Sequence, residues 1–335
     1  MAKIRHATYN LPPTGLLTRS PDLPITRSQD LTMSERFFVR VPATCANLGC
    51  LFDCGALALG LHLDLHVSSR DDSEVSVHYE GANPERVAND SSNLVARVMT
   101  ESLESWGKKR GFDIEIHNQI PVGVGLGSSA AAIVGALVAC HWLVNRPIFG
   151  EELLTLASQR EGHPDNVAAA WHGGFTVAVT EGERVIACSC PVPTDVQLVL
   201  VVPNYALATK QARAVLPNQY SRADAIHNLQ RGTILAAQFF SGRPDFHPEF
   251  FQDRWHQPYR ASLVPGLADV LNIRHPELLG ICLSGAGPSI LAFVRAGAAN
   301  LGEHICRILS QHGIESYPCF PAADNRGAKG WILLE

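Results

Sequence analysis

Lysine is scarce in this chain: five residues in 335, and none between Gly111 and Thr209. With 27 basic against 32 acidic residues the formal net charge is −5, and no basic cluster stands out. A nucleic-acid surface needs clustered cations to displace counterions, so a small-molecule partner is the better expectation. No apolar run approaches the roughly 20 residues of a membrane span, and the first residues lack the apolar core of a signal peptide. The expectation is a cytoplasmic protein with no membrane partner.

The nine cysteines have neither zinc-site spacing nor an even count for full pairing. They read as reduced thiols. His62 and His66 stand at i, i+4, but inside "LGLHLDLHV", whose alternation makes a strand and excludes the helical zinc arrangement.

What is present is a hydrophobic fraction of 46%, enough for a large core. Residues 1–34 are rich in Pro, Ser, Thr and Arg without apolar periodicity and are expected to be a disordered extension. Strands are expected at residues 37–41, 56–67, 74–80 and 112–117, with a helix between the last two capped by Ser91 or Ser92. Helices follow at residues 128–144 and 151–160, then three strands ending near Pro203. The remainder reads strand, several helices, two strands (279–283 and 289–294), helix (298–312) and a last strand (331–334). That order fits a split βαβ, ferredoxin-like second domain. The expected organisation is α+β with domains at residues 35–195 and 196–335.

The stretch "PVGVGLGSSAAA", residues 121–132, joins an expected strand to an expected helix. In that geometry, backbone N–H groups and the positive end of the helix dipole converge on an anion, typically phosphate. The glycines alternate as G-x-G-x-G and no acidic residue ends a strand about 20 residues later, so the dinucleotide fingerprint is absent. Without a lysine, a triphosphate's charge falls to backbone dipoles, the helix terminus and Mg²⁺, which takes hard oxygen ligands. Ser129 and the carboxylate of Glu161 are suitable.

Three segments together resemble the GHMP kinases: "VPATCANLGCLFDCGALALGL", "PVGVGLGSSAAA" and "LSGAGPSILAF". Within that family "EGHPDNVAAAWHGGFTV", "TKQARAVLP" and "QPYRASLVPGL" are similar to segments of the homoserine kinases. The resemblance implies a two-domain fold, with a ribosomal protein S5 domain 2-like N-terminal domain that binds ATP and a ferredoxin-like C-terminal domain. It implies ATP-dependent phosphorylation of the L-homoserine hydroxyl on the route to threonine, with Mg²⁺ as cofactor and a homodimeric assembly. Another small-molecule kinase of the family, acting on a sugar or a phosphorylated alcohol, and a catalytically dead nucleotide-binding relative stand as alternatives.

The same resemblance assigns residues. Pro121, Val122, Gly123, Val124, Gly125, Leu126, Gly127, Ser128, Ser129 and Ala130 would carry the nucleotide phosphates, Ser129 and Glu161 the metal, and Asn93 the adenine. Arg213 and Arg260 would grip the substrate carboxylate, as paired guanidinium bonds allow. Asn47 and Asp53 would face its amino end and hydroxyl, and His163 and Asn166 would make the remaining contacts. Several relatives place a catalytic aspartate where Asn166 stands. A loose, metaphosphate-like transition state needs little from a base, so none is expected, with Asp165 the residue to suspect. One departure matters: "NLGCLFD" has Cys50 and Leu51 where the family has a flexible turn. Leucine resists positive φ, so a different backbone path is expected there, with Cys50 as a small buried residue.

Overall fold

A computed structural model describes residues 36–295 and 300–333. The expected extension at residues 1–34 lies outside the described residues. Among the latter, no helix is long and apolar enough to cross a membrane.

The chain begins with β1 (Arg36–Asn47), β2 (Leu51–Ser69) and β3 (Val75–Gly81), followed by α1 (Leu94–Ser105) and β4 (Phe112–Asn118). Three helices come next, α2 (Ser128–Leu143), α3 (Gly150–Glu161) and α4 (Asp165–His172), and then the hairpin of β5 (Phe175–Glu181) and β6 (Arg184–Cys190). Strand β7 (Gln197–Pro203) leads into α5 (Thr209–Ala214), α6 (Arg222–Phe240), α7 (Gln257–Arg260) and α8 (Leu267–Leu271). The last elements are β8 (Leu278–Leu283), β9 (Ile290–Val294), α9 (Asn300–Gln311), β10 (Ser316–Cys319) and β11 (Lys329–Leu333).

Two sheets result, and the α+β reading holds. The first is seven-stranded, in the order β11-β1-β2-β4-β3, with β5 on the far part of β2 and β6 beyond it. The long β2 serves β4 with one half and β5 with the other, which its 19 residues allow. The second sheet runs β10-β7-β9-β8, the strand order of a βαββαβ unit, with every pair antiparallel.

Helix α2 is the axis of the first unit. It is apolar all round, which marks a helix buried on every side, and each residue from Ala130 to Leu143 is buried. Its small residues allow close approach: a Cβ on Gly135 would come within 2.9 Å of Leu65. At its end Trp142 stacks on Phe37 of β1, ring centres 4.9 Å apart. A smaller core lies under the second sheet, where Val201, Ile290, Leu267 and Ile305 meet.

Four local expectations change. Asn93, rather than Ser91 or Ser92, caps α1, its side chain accepting from Val95 N–H. Helix α4 was not anticipated; its eight residues sit between Pro164 and Gly173, too short for a periodic signal. Strand β10 contains Pro318 and was also missed, although it is the fourth strand of the second sheet. The final strand, expected in the second domain, instead pairs with β1, where Trp331 packs on Phe38. An apolar pattern fixes a strand, but not which edge receives it.

Candidate active site

The first wall of the site is the loop before α2. Gly123, Gly125 and Gly127 all have positive φ. A side chain at Gly125 would strike the Ser284 carbonyl at 2.2 Å, and one at Gly127 the Thr44 hydroxyl at 1.9 Å. Glycine is therefore required by contact as well as by backbone angle. The loop carbonyls are occupied: Gly123 accepts from Leu207 N–H, Val124 from Ser289 N–H, Gly125 from the Ser284 hydroxyl and Leu126 from Thr44 N–H. With these carbonyls bonded within the protein, the loop N–H groups are the backbone groups suited to an anion. An α-helix also leaves its first-turn N–H groups without internal partners, and α2 starts at Ser128 with no side-chain cap.

The second wall is the turn between β1 and β2. Asn47, Leu48, Gly49 and Asp53 adopt positive φ, whereas Leu51 does not. Left-handed residues thus stand on both sides of Leu51, Leu48 among them, and the Leu51 side chain packs against Gly55 and Gly232. Cys50 is buried, donates its thiol to the Phe250 carbonyl at 3.0 Å, and has its pKa pushed up to about 12 by burial. Asn47 accepts from Asp53 N–H at 3.0 Å and donates to the Gly285 carbonyl at 2.8 Å. The turn between β8 and β9 is stitched to both walls, since Gly285 N–H also donates to Ala46.

The floor comes from α3, α4 and the segment joining them. Ser129 donates to Glu161 at 2.7 Å. Burial pushes the Glu161 carboxyl up, against the opposing Ser129 hydrogen bond and His163 charge. His163 Nδ1 lies 2.6 Å from Asp165 Oδ1, which also accepts Asn166 N–H. Burial opposes the charging of His163, but the Asp165 bond and charge outweigh it and raise its pKa. Asn166 accepts from the Thr44 hydroxyl at 2.7 Å.

Two arginines close the far end. Arg213 of α5 holds Asp53 in a two-bond pair at 2.8 and 2.7 Å. Arg260 of α7 is fully buried and donates to the carbonyls of Ala212 and Gly285. Burial, then the charge of Arg213, lower its pKa, yet a guanidinium stays charged at working pH.

These walls enclose one cleft of about 490 Å³, within the range of small-molecule sites. Asn47, Asp53, Asn93, Val122, Gly123, Gly125, Leu126, Gly127, Ser128, Ser129, Glu161, His163, Asn166, Arg213 and Arg260 all line it. Pro121, Val124 and Ala130 do not; Val124 and Ala130 turn into the core. The Asn93 amide, assigned to adenine by resemblance, is already engaged with Val95 N–H and the Ala88 carbonyl. Arg86 and Thr209 also line the cleft and were missed. Thr209 opens the quoted "TKQAR" segment, but nothing around Arg86, which donates to the Val122 carbonyl, marks it in sequence. Among the described residues no cluster of three or more His, Cys, Asp or Glu forms a self-contained metal site, and all nine cysteines are free.

Residues 93–174 match the family of GHMP kinases N terminal domains. A homoserine kinase of Solibacter usitatus is 39% identical over 287 residues, covering 84% of this chain and 94% of its own. One from Deinococcus radiodurans is 39% identical over 282 residues, covering 83% and 91%. Among solved structures, a homoserine kinase of Cytophaga hutchinsonii superposes with a TM-score of 0.75 at 26% identity, over 91% of this chain and all of that one. The α+β architecture is accordingly the two-domain GHMP kinase fold, and the chain belongs to the homoserine kinase family of the GHMP kinases.

Proposed function

We propose that this chain transfers the γ-phosphoryl group of ATP to the side-chain hydroxyl of L-homoserine, giving O-phospho-L-homoserine on the route to threonine. The observation that carries the reading is a single cleft with a glycine loop and an uncapped helix start, suited to an anion, at one end and the Asp53, Arg213 and Arg260 charges at the other. An amino-acid zwitterion fits that second end: the guanidinium groups suit its carboxylate, and Asp53 with Asn47 suits its ammonium. The nucleotide base fits the part lined by Tyr79, Val87, Val95 and Ile116, beside Asn93.

The hard oxygens of Ser129 and Glu161, already in contact, suit Mg²⁺, which is commonly held by one or two protein oxygens together with substrate phosphates. When bound it would neutralise charge on the transferring group. The chain's own residues do the rest. Loop N–H groups and the start of α2 hold the phosphates, Asn166 and His163 border the path of the hydroxyl, and Thr44 fixes the Asn166 amide. Positioning and charge neutralisation carry the rate, and no general base is assigned. The reading includes a cytoplasmic homodimer, for which the exposed Ile226, Leu229 and Phe240 of α6 supply an apolar face.

The test is ADP release with L-homoserine, mevalonate, galactose and shikimate in turn. Strong turnover with homoserine alone supports the reading; turnover with another acceptor replaces it. Retained ATP binding with no turnover points to a dead relative.

A further inference from the structure

Phe52 precedes Asp53 but does not itself line the cleft. Both arginines of the far end lie over its ring. The Arg213 Cζ is 5.6 Å from the ring centre and the Arg260 Cζ 5.4 Å. On the same ring the His256 imidazole is stacked, centres 5.3 Å apart and planes inclined by 26°.

This grouping answers an electrostatic problem. Two guanidinium groups that converge on one carboxylate repel each other until it arrives. Arg213 has the Asp53 carboxylate, but the hydrogen-bond partners described for Arg260 are the carbonyls of Ala212 and Gly285 and the Nδ1 of His256. Arg260 also shows only 2% of its surface to solvent. The negative face of an aromatic ring attracts a cation, more strongly where water is excluded.

His256 does not compete for that face as a third cation. Its Nε2 lies 2.7 Å from the Gly49 carbonyl, which only accepts, and its Nδ1 lies 3.1 Å from Arg260 Nη1, which only donates. These partners place the proton on Nε2 and leave the ring neutral. Its backbone N–H is held by Asp253, which also accepts from Trp255 and Gln257 N–H and from the Asn228 amide. The imidazole is thus a fixed, neutral neighbour of Arg260 on the same side of the Phe52 ring.

We propose that Phe52 is a positioning residue, whose ring holds the Arg213 and Arg260 guanidinium groups as a converging pair and thereby sets how tightly the cleft takes its substrate's carboxylate. The inference rests on the reading of that end as the amino-acid site. Simple packing would depend on ring size, whereas attraction to a cation depends on the electron density of the ring face.

The experiment replaces Phe52 in the full-length protein with mono-, di- and trifluorinated phenylalanine, which drain that density with little change of shape. The KM for L-homoserine should rise stepwise, reaching about ten-fold, while the KM for ATP stays within about two-fold and the melting temperature holds. Phe52→Leu should fall at or beyond the end of the series and Phe52→Tyr near wild type. A homoserine KM that stays flat across the series, or a Phe52→Leu protein with wild-type KM, overturns the inference and leaves the proposed function standing. Absence of homoserine turnover in the wild-type protein overturns both.

Discussion

Asp53 and Arg213 hold each other through two parallel bonds, 2.8 and 2.7 Å long, across the end of the cleft assigned to the substrate's charged groups. About a third of each side chain is exposed, 34% for Asp53 and 37% for Arg213. A pair so wetted is worth no more than ~1 kcal/mol, so opening it costs little. A zwitterion can then exchange one internal pair for two external ones, carboxylate to Arg213 and ammonium to Asp53.

Arg213→Ala or Arg260→Ala should therefore raise the KM for homoserine by about ten-fold or more, as loss of a charged hydrogen-bond partner commonly does, with ATP affinity nearly unchanged. Initial-rate kinetics with each substrate varied in turn give the answer. An equal loss for both substrates would place the arginines elsewhere in the reaction.

Ser129→Ala removes one of two adjoining oxygens proposed to face the metal, and Glu161→Gln removes the negative charge of the other. Turnover should fall by about 100-fold, the scale of losing one electrostatic contact to the transition state, and more Mg²⁺ should be needed for half-maximal rate. The check is a titration of rate against MgCl₂. An unchanged magnesium dependence would move the metal to other ligands.

Asp165 already accepts from His163 Nδ1 and Asn166 N–H, which describes a positioning carboxylate more than a free base. A general base contributes about 10²–10⁴-fold, so Asp165→Asn should cost only about ten-fold in kcat. A loss of several orders, with fold and ATP binding intact, would make Asp165 the base.

Asp324 ties the segment before β11 to β2. Its carboxylate bonds to His62 Nε2 at 2.8 Å and accepts the N–H groups of Arg326 and Gly327. Burial raises its pKa, but these bonds prevail and hold it below the usual carboxylate range. An acid depressed in the native state adds stability above its unfolded pKa of about 3.9, and that stability is lost as pH falls through the lower native value. Asp324→Asn should thus melt lower at pH 7 and lose less on acidification below about pH 4 than the wild type. Parallel pH profiles for the two proteins would deny Asp324 this role.

Much of the site was legible because its chemistry is local. The loop before α2 declares itself through glycines that contact and backbone angle both require, and Ser129 and Glu161 follow from the missing lysine. Arg213 and Arg260 were placed by resemblance, and the structure brings both to the same cleft end. What sequence did not carry is long-range or brief: the return of β11 to β1, the four-residue β10, the short α4, and the meeting of Phe52 with two arginines more than 150 residues away, as with the Arg213–Asp53 bond at a separation of 160. At "NLGCLFD" Leu51 avoids positive φ while Asn47, Leu48, Gly49 and Asp53 adopt it, and both Asn47 and Asp53 reach the cleft, which the residue types alone did not show.

The most direct measurement is coupled ADP release by the purified chain with Mg²⁺, ATP and L-homoserine, with the product identified by mass. The account predicts homoserine-dependent turnover and one phosphoryl group gained on the side-chain oxygen. ATP binding without homoserine-dependent ADP release, or preference for a sugar or mevalonate, would contradict it.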